Sequence, residues 1–235
     1  MIARGALRTV YQPIFRVADG SIAGFEALTR FPDADHRTPD RWFAEADAAG
    51  LGIELELAAV RCALRGLAIL PRSMKLAINL SPAALVSPEL ADIVATQAPD
   101  RLVLEVTEHA AIEDYAAIAR ALAPLRGRVK LAVDDAGAGF ASLRHILHLE
   151  PDVIKLDISL TRGIDADPAK RALAAALLAF CRELDCIMVA EGVETAAELA
   201  MLRVLGVDRA QGFHLARPVP LAALASFLPP RSRVA

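Results

Sequence analysis

The sequence predicts an α/β fold, a closed barrel of parallel strands wrapped by helices. Three observations predict it. Short apolar runs alternate with longer helical stretches along most of the chain, the rhythm of βαβ units around a parallel sheet. About seven or eight such runs occur, which suits a closed barrel better than an open sheet. Successive runs also finish in charged or amide residues: Glu26, Asn79, Glu105, Asp134, Lys155, Glu191 and Gln211. Barrels collect functional groups at the carboxyl ends of their strands, where all seven would converge on one mouth. Surface charge scattered by chance would not track strand ends in this way.

The totals agree with one large domain. The chain has 235 residues, 55% of them hydrophobic, enough for a sizeable core. The expected domain is residues 1–228, with 229–235, which includes Pro229-Pro230-Arg231-Ser232-Arg233, as a flexible tail. A net charge of −3 and the lack of a basic stripe speak against duplex nucleic acid and membrane surfaces as partners. Met1 to Gly5 lacks the apolar core of a signal peptide, and the longest apolar run, Ala172 to Cys181, is too short to span a bilayer. The three cysteines, Cys62, Cys181 and Cys186, have no zinc-binding spacing. A soluble, reduced, cytoplasmic protein is expected.

Taken in order, Val10 to Phe15 and Ile22 to Phe31 read as two strands joined by an Asp19-Gly20 turn and paired antiparallel. Arg41 to Ala49 is helical, interrupted by Gly50 and Gly52; Ile53 to Leu70 is a longer helix stopped by Pro71. A strand over Lys75–Leu80 is followed by two helix starts, Ser81-Pro82 and Ser87-Pro88, each a serine cap with proline in the first turn. A strand over Leu102–Val106 precedes a helix over Ile112–Leu125. Leu131–Val133 is a strand, Phe140–Leu149 helical and Val153–Leu156 a strand. Asp167-Pro168 opens an apolar helix to Leu184, then Ile187–Ala190 is a strand. Thr195-Ala196-Ala197-Glu198 is a capping box, and a last short strand lies near Arg209-Ala210.

The stretch from Lys130 to Leu160 carries the chemistry. Its first strand ends in two adjacent carboxylates, Asp134 and Asp135, followed by Ala136-Gly137-Ala138-Gly139; its second holds Lys155 and leads into Asp157. Two adjacent carboxylates repel each other unless a cation sits between them. The functional reading is a metal site at the ends of parallel strands; the plain alternative is an acidic, solvated turn. The mouth offers Glu26, Glu105, Asp134, Asp135 and Glu191, with Asn79 as a neutral oxygen and no His or Cys. All-oxygen sites suit Mg²⁺ or Mn²⁺. So many carboxylates could hold two ions about 3.5–4 Å apart, the arrangement that clamps attacking and leaving oxygens in phosphodiester cleavage. Lys155 would orient or help deprotonate the attacking water, or balance phosphate charge.

The chain resembles the EAL domain family of cyclic di-GMP phosphodiesterases. The resemblance rests on Tyr11-Gln12-Pro13-Ile14, Glu26-Ala27-Leu28-Thr29-Arg30, Asn79-Leu80-Ser81, Glu105-Val106-Thr107-Glu108 and Asp134-Asp135 with its glycine loop. Lys155-Leu156-Asp157, Glu191-Gly192-Val193-Glu194 and Gln211-Gly212-Phe213 complete it, so it runs from about Tyr11 to Pro218. Each motif is weak alone; together, in order, they are strong. The resemblance implies a TIM-like barrel with the first strand antiparallel, and hydrolysis of cyclic di-GMP to linear pGpG with two Mg²⁺ or Mn²⁺ ions. It implies that Glu26, Asn79, Glu105 and Asp134 hold one metal, and that Asp135, Glu191 and Asp157 serve the second or its water. Lys155 would sit beside the nucleophilic water, with Glu191 or Lys155 as base. Gln12, Leu28 and Arg30 would contact substrate, Arg30 near a phosphate, and Gln211 and Glu194 would complete the polar shell. Glu108 would brace the loop after Asp135, which in the family couples a homodimer to metal binding. A sensor domain or protein partner outside this chain would supply regulation.

The family loop commonly reads Asp-Asp-Phe-Gly-Thr-Gly-Tyr-Ser-Ser. Here Ala136, Ala138, Phe140 and Ala141 stand at the variable positions, and Ala216 replaces a usual glycine. Those changes bear on loop order and dimer coupling and touch no metal ligand. Two rivals stand beside the enzyme. A catalytically silent cyclic di-GMP receptor would be expected to have lost ligands, and none is lost. A Schiff-base barrel enzyme using Lys155 needs a neutral amine, which the clustered carboxylates oppose. His145 and His148 read as a partly buried helix face, Trp42 and Phe43 as helix packing, and His109 and His214 as residues near strand ends.

Overall fold

Apolar runs and turn signals together build an eight-stranded closed barrel with one added strand. The computed structural model describes residues 7–31, 37–106, 112, 114–137 and 141–228, the last without the side chains of 141–143. β1 (Arg8–Arg16) and β2 (Ile22–Arg30) form an antiparallel hairpin, in register from Arg8 opposite Arg30. Its turn is the one the sequence predicts: Asp19 Oδ1 accepts from Ser21 N at 2.8 Å, and Gly20 takes the left-handed conformation, φ 71°. β2 then leads a parallel series, β3 (Lys75–Leu80), β4 (Leu102–Val106), β5 (Lys130–Ala136), β6 (Val153–Leu156), β7 (Ile187–Ala190) and β8 (Arg209–Ala210). β8 pairs antiparallel with β1 and closes the barrel. The expected TIM-like fold with an antiparallel first strand is observed. β9 (Val219–Pro220), absent from the sequence reading, pairs with the other half of β1.

The helices cover the outside: α1 (Pro39–Ala48), α2 (Gly52–Leu64), α3 (Pro82–Leu85), α4 (Pro88–Ala95), α5 (Tyr115–Leu122), α6 (Ala141–Leu149), α7 (Ile158–Thr161), α8 (Pro168–Glu183) and α9 (Ala196–Leu205). Expected caps form as read: Ser81, Ser87 and Asp167 each accept from a backbone N–H of the first turn. Helix ends differ where local chemistry intervenes. The stretch predicted as one helix to Leu70 turns 3₁₀ at Arg65–Ala68, and α5 starts at Tyr115, capped by Asp114, rather than at Ile112. α7 was not expected; Asp157 creates it by accepting from Ser159 N at 2.9 Å.

Two cores result. Phe25, Leu76, Leu104, Val133, Ile154 and Met188 face outward into the helix layer, within the larger buried cluster. Ile14, Ala77, Val103, Ala132, Val153 and Val189 form a separate cluster inside the barrel. Strand side chains alternate with a period of two. Each residue of this inner layer therefore has a same-face neighbour two positions away: Gln12, Asn79, Glu105, Asp134, Lys155 and Glu191. The inner apolar layer supports the polar mouth from beneath.

Candidate active site

The mouth is assembled around Lys155. The side chain is 1% exposed, and its Nζ lies 2.8 Å from Glu191 Oε1, 3.0 Å from Glu105 Oε2, 3.2 Å from Asp134 Oδ1 and 3.6 Å from Glu26 Oε1. Four strands or strand ends thus point one carboxylate each at one ammonium. Burial alone would push Lys155 towards neutrality, yet Asp134, Glu105, Glu191 and Glu26 hold its pKa well above the ordinary lysine value. The same burial raises Glu105 and Glu191 well above the usual carboxylate range, despite Lys155, with Asp134 and Glu26 adding repulsion. Glu26 goes the other way. Burial opposes its charge, but Lys155 and hydrogen bonds from Gln211 and Asn79 outweigh burial and lower its pKa. Those bonds are Asn79 Nδ2 to Oε1, 2.8 Å, and Gln211 Nε2 to Oε2, 2.5 Å.

A bulge sets the geometry of the two aspartates. Successive residues of a regular strand point to opposite faces, so Asp134 and Asp135 should diverge. They do not, because Val133 pairs with Ile154 and Ala136 with Leu156, which leaves two residues of β5 opposite Lys155 alone. Asp135 takes a left-handed backbone, φ 56°, and its N–H donates to Asp134 Oδ1 at 2.9 Å. Oxygens of Asp134, Asp135 and Glu191 consequently lie within 4.8 Å of one another. This is an all-oxygen donor set, and it fits a hard divalent cation. Gly137 follows at φ 103°, a backbone conformation that strains any residue with a side chain.

The remaining predicted residues fall into place around a cavity of about 810 Å³ above these groups. Gln12, Glu26, Leu28, Arg30, Asn79, Asp134, Asp135, Asp157, Glu191, Glu194 and Gln211 all line it, while Lys155 and Glu105 sit beneath. Glu26 is not at a strand end as the sequence suggests; it lies in the middle of β2, opposite Gln12, because the hairpin rises past the mouth. Asp157 stands apart from the three-carboxylate group and gives one oxygen to the α7 cap. Gln12 donates to Ala216 O and accepts from Gln211 at 3.2 Å. Gln211 Oε1 is buried and has no hydrogen-bond partner among the described residues. Arg30 forms no salt bridge among the described residues; its Nη1 donates to Thr29 O, and the charge of Glu26 acts on it without direct contact. Glu194 pairs with Arg162 at the rim.

Several lining residues escape the sequence reading, Arg162, Glu56 and Phe43 among them. Arg162 carries no motif. Glu56 sits in an apolar helix run, Leu55-Glu56-Leu57, and accepts from Ser81 N at 2.7 Å; an acid within the buried stripe was its one signal. Phe43, expected to pack, lines the cavity, while Trp42 stacks on Phe31 with centroids 5.3 Å apart. His145 and His148 do belong to a helix face: His145 is buried and bonds Tyr115 OH at 2.7 Å, and His148 stacks on the same ring. His214 is exposed and does not line the cavity. Glu108, His109, Ala138, Gly139 and Phe140 lie outside the described residues.

Comparison with known proteins places this geometry. A model of the EAL domain matches residues 1–218. The cyclic di-GMP phosphodiesterase NbdA of Pseudomonas aeruginosa is 36% identical over 231 residues, 93% of this chain and 30% of that protein. Among solved structures, the PaMucR phosphodiesterase in complex with c-di-GMP superposes with a TM-score of 0.83 at 31% identity, covering 95% of this chain and 96% of that one. A manganese and cy-diGMP complex of Klebsiella pneumoniae BlrP1 gives a TM-score of 0.81 at 33% identity, covering 92% of this chain and 57% of that one. The chain spans about a third of the length of the curated relatives it matches. Among the described residues no helix is long and apolar enough to cross a membrane.

Proposed function

Because this chain belongs to the EAL domain family, we propose that it is a metal-dependent phosphodiesterase that hydrolyses cyclic di-GMP to linear pGpG. The observation that carries this reading is the bulge-built group, in which Asp134, Asp135 and Glu191 bring oxygens within 4.8 Å of one another beside a buried lysine. The cavity above it, about 810 Å³, is the size of a cofactor- or dinucleotide-scale ligand site. NbdA and PaMucR are named as phosphodiesterases, and the BlrP1 complex holds manganese with cyclic di-GMP; both facts support the same substrate and cofactor here.

In this proposal Glu26, Asn79, Glu105 and Asp134 hold one Mg²⁺ or Mn²⁺, and Asp135, Glu191 and Asp157 serve the second. Such ions supply Lewis-acid polarisation of the phosphoryl oxygen and a more acidic water. The side chains do the rest. Lys155 stays protonated among its carboxylates and presents positive charge to the attacked phosphate. That leaves Glu191, raised by burial, as the group suited to take the water's proton. Glu26, held ionised by Lys155 and two amides, is a fixed anion that keeps Asn79 and Gln211 in place. Arg30, in no salt bridge among the described residues and lining the cavity, meets a phosphate through its planar fork. Gln211 Oε1, buried and unpaired, accepts a hydrogen bond from the nucleotide, with Gln12, Leu28 and Glu194 along the same wall. Three free thiols support a cytoplasmic setting. A homodimer, a single domain over 1–228 and regulation by a sensor domain or partner protein belong to the proposal too.

The test is incubation with cyclic di-GMP and Mn²⁺ or Mg²⁺, with and without EDTA, and chromatography of the products. The reading predicts pGpG with metal and none with EDTA. Tight binding without product would replace it by a catalytically silent receptor. Neither binding nor product would leave the fold without the function.

A further inference from the structure

The floor of the barrel carries charge opposite to that of its mouth. Arg209 lies two residues before Gln211 and so enters the lumen on the same face of β8, from below. In the antiparallel β1–β8 ladder it stands directly opposite Arg16. Like charges in that position destabilise a sheet unless something sits between them. Arg16 is partly satisfied, with Nη1 donating to Ser21 Oγ at 2.9 Å and Ile22 O at 3.2 Å. Arg209 is half-buried, and its guanidinium has no hydrogen bond or ion pair among the described residues. Burial and the facing Arg16 work against its charge, and Asp208 offsets them only in part.

Two more arginines border the same place. Arg203, in the last turn of α9, donates through Nε to Val17 O at 3.1 Å, and Arg182 of α8 lies against Gly206. Two acids stand nearby. Asp208 lines the cavity and raises the Arg209 pKa while its Oδ2 accepts from Met188 N at 2.9 Å, and Asp19, whose Oδ1 accepts from Ser21 N and Oγ, feels the charge of Arg16; three arginines outnumber them. Arg16, Arg203 and Arg209 line a cavity of about 480 Å³ between the end of β1, the start of β7 and the turn into β8.

We propose that this cavity binds a small phosphate-bearing anion, with Arg16, Arg203 and Arg209 as its donors. Guanidinium forks match phosphate oxygens in pairs, and an anion here turns a repelling cross-strand pair into a bridged one. The site is separate from the acidic mouth and does not depend on the phosphodiesterase reading. β1 carries Arg16 below and Gln12 above, and β8 starts at Arg209 and leads into Gln211, which donates to Gln12, so the two ends are linked.

Thermal unfolding in EDTA, with pyrophosphate titrated against NaCl at matched ionic strength, tests the site. Wild type and the mouth variant Arg30→Met should show a saturable rise in Tm. Arg209→Met and Arg16→Ala should lose that rise, and without anion Arg209→Met should melt no lower than wild type. No saturable rise in wild type, an equal rise in the floor variants, or a rise lost only in Arg30→Met overturns the proposal. So does a lower Tm for anion-free Arg209→Met, which would mark the arginine as structural.

Discussion

Asp135 holds a left-handed backbone at φ 56° immediately after Asp134, and that conformation lets both carboxylates reach one side of the sheet. Asparagine tolerates the same conformation but lacks the charge. Asp135→Asn should therefore fold with a Tm close to wild type, while Mn²⁺ affinity measured by calorimetry falls roughly 10-fold or more. Unchanged affinity would remove Asp135 from the metal site. Two neighbouring carboxylates were legible in the sequence; their convergence was not, because it needs a bulge and an unusual φ, neither of which has a residue signature here. The position of Lys155 was legible too. Its four carboxylate neighbours come from four separate segments, and only closure of the barrel brings them within 3.6 Å.

The clearest local signal at the level of elements is the capping box that opens α9. Thr195 Oγ1 accepts from Glu198 N at 3.1 Å, and Glu198 Oε2 accepts from Thr195 N at 2.9 Å and Glu194 N at 2.8 Å. Glu198 Oε1 also takes Gly163 N at 2.8 Å, which ties α9 to the segment before α8. Burial works against the Glu198 charge, but these N–H donors prevail and lower its pKa. A carboxylate with a lowered folded-state pKa stabilises at neutral pH and loses that contribution as the pH falls through its titration range. Glu198→Gln should cost about 2 kcal/mol at pH 7, and the gap to wild type should narrow as the pH drops below about 4.5. Urea unfolding of both proteins across that range measures it; a constant gap would contradict the account. The box was readable as Thr-x-x-Glu, whereas its long-range bond to Gly163 was not. α7 escaped because its cap, Asp157, read first as a functional acid. β9 escaped because two residues leave no periodic pattern.

At the scale of the whole molecule the barrel is layered, acidic at the mouth and apolar in the middle, with arginines and aspartates at the opposite end. The layering follows from a period of two along every strand, which is why so much of the fold could be read from strand ends. The far end was less legible. Arg101, just before β4, is buried, and its guanidinium donates to the carbonyls of Met74, Leu67, Leu70 and Pro71, with no carboxylate among these partners. One side chain thus ties together four backbone carbonyls of the segment that leads into β3, a long-range role that no local pattern announces. Arg101→Met should lower stability by about 2–4 kcal/mol and leave the proposed hydrolysis by the folded protein unchanged in kcat/KM. Denaturant unfolding and steady-state kinetics on the same preparation would decide between that role and one at the mouth.

The account rests on one claim, that the bulge in β5 and the end of β7 together make a divalent-cation site. Anomalous diffraction at the manganese edge, from crystals soaked in Mn²⁺, tests it most directly. The account predicts manganese bonded to oxygens of Asp134, Asp135 and Glu191, above Lys155. Manganese elsewhere with these carboxylates unbound, or none at all, would contradict it.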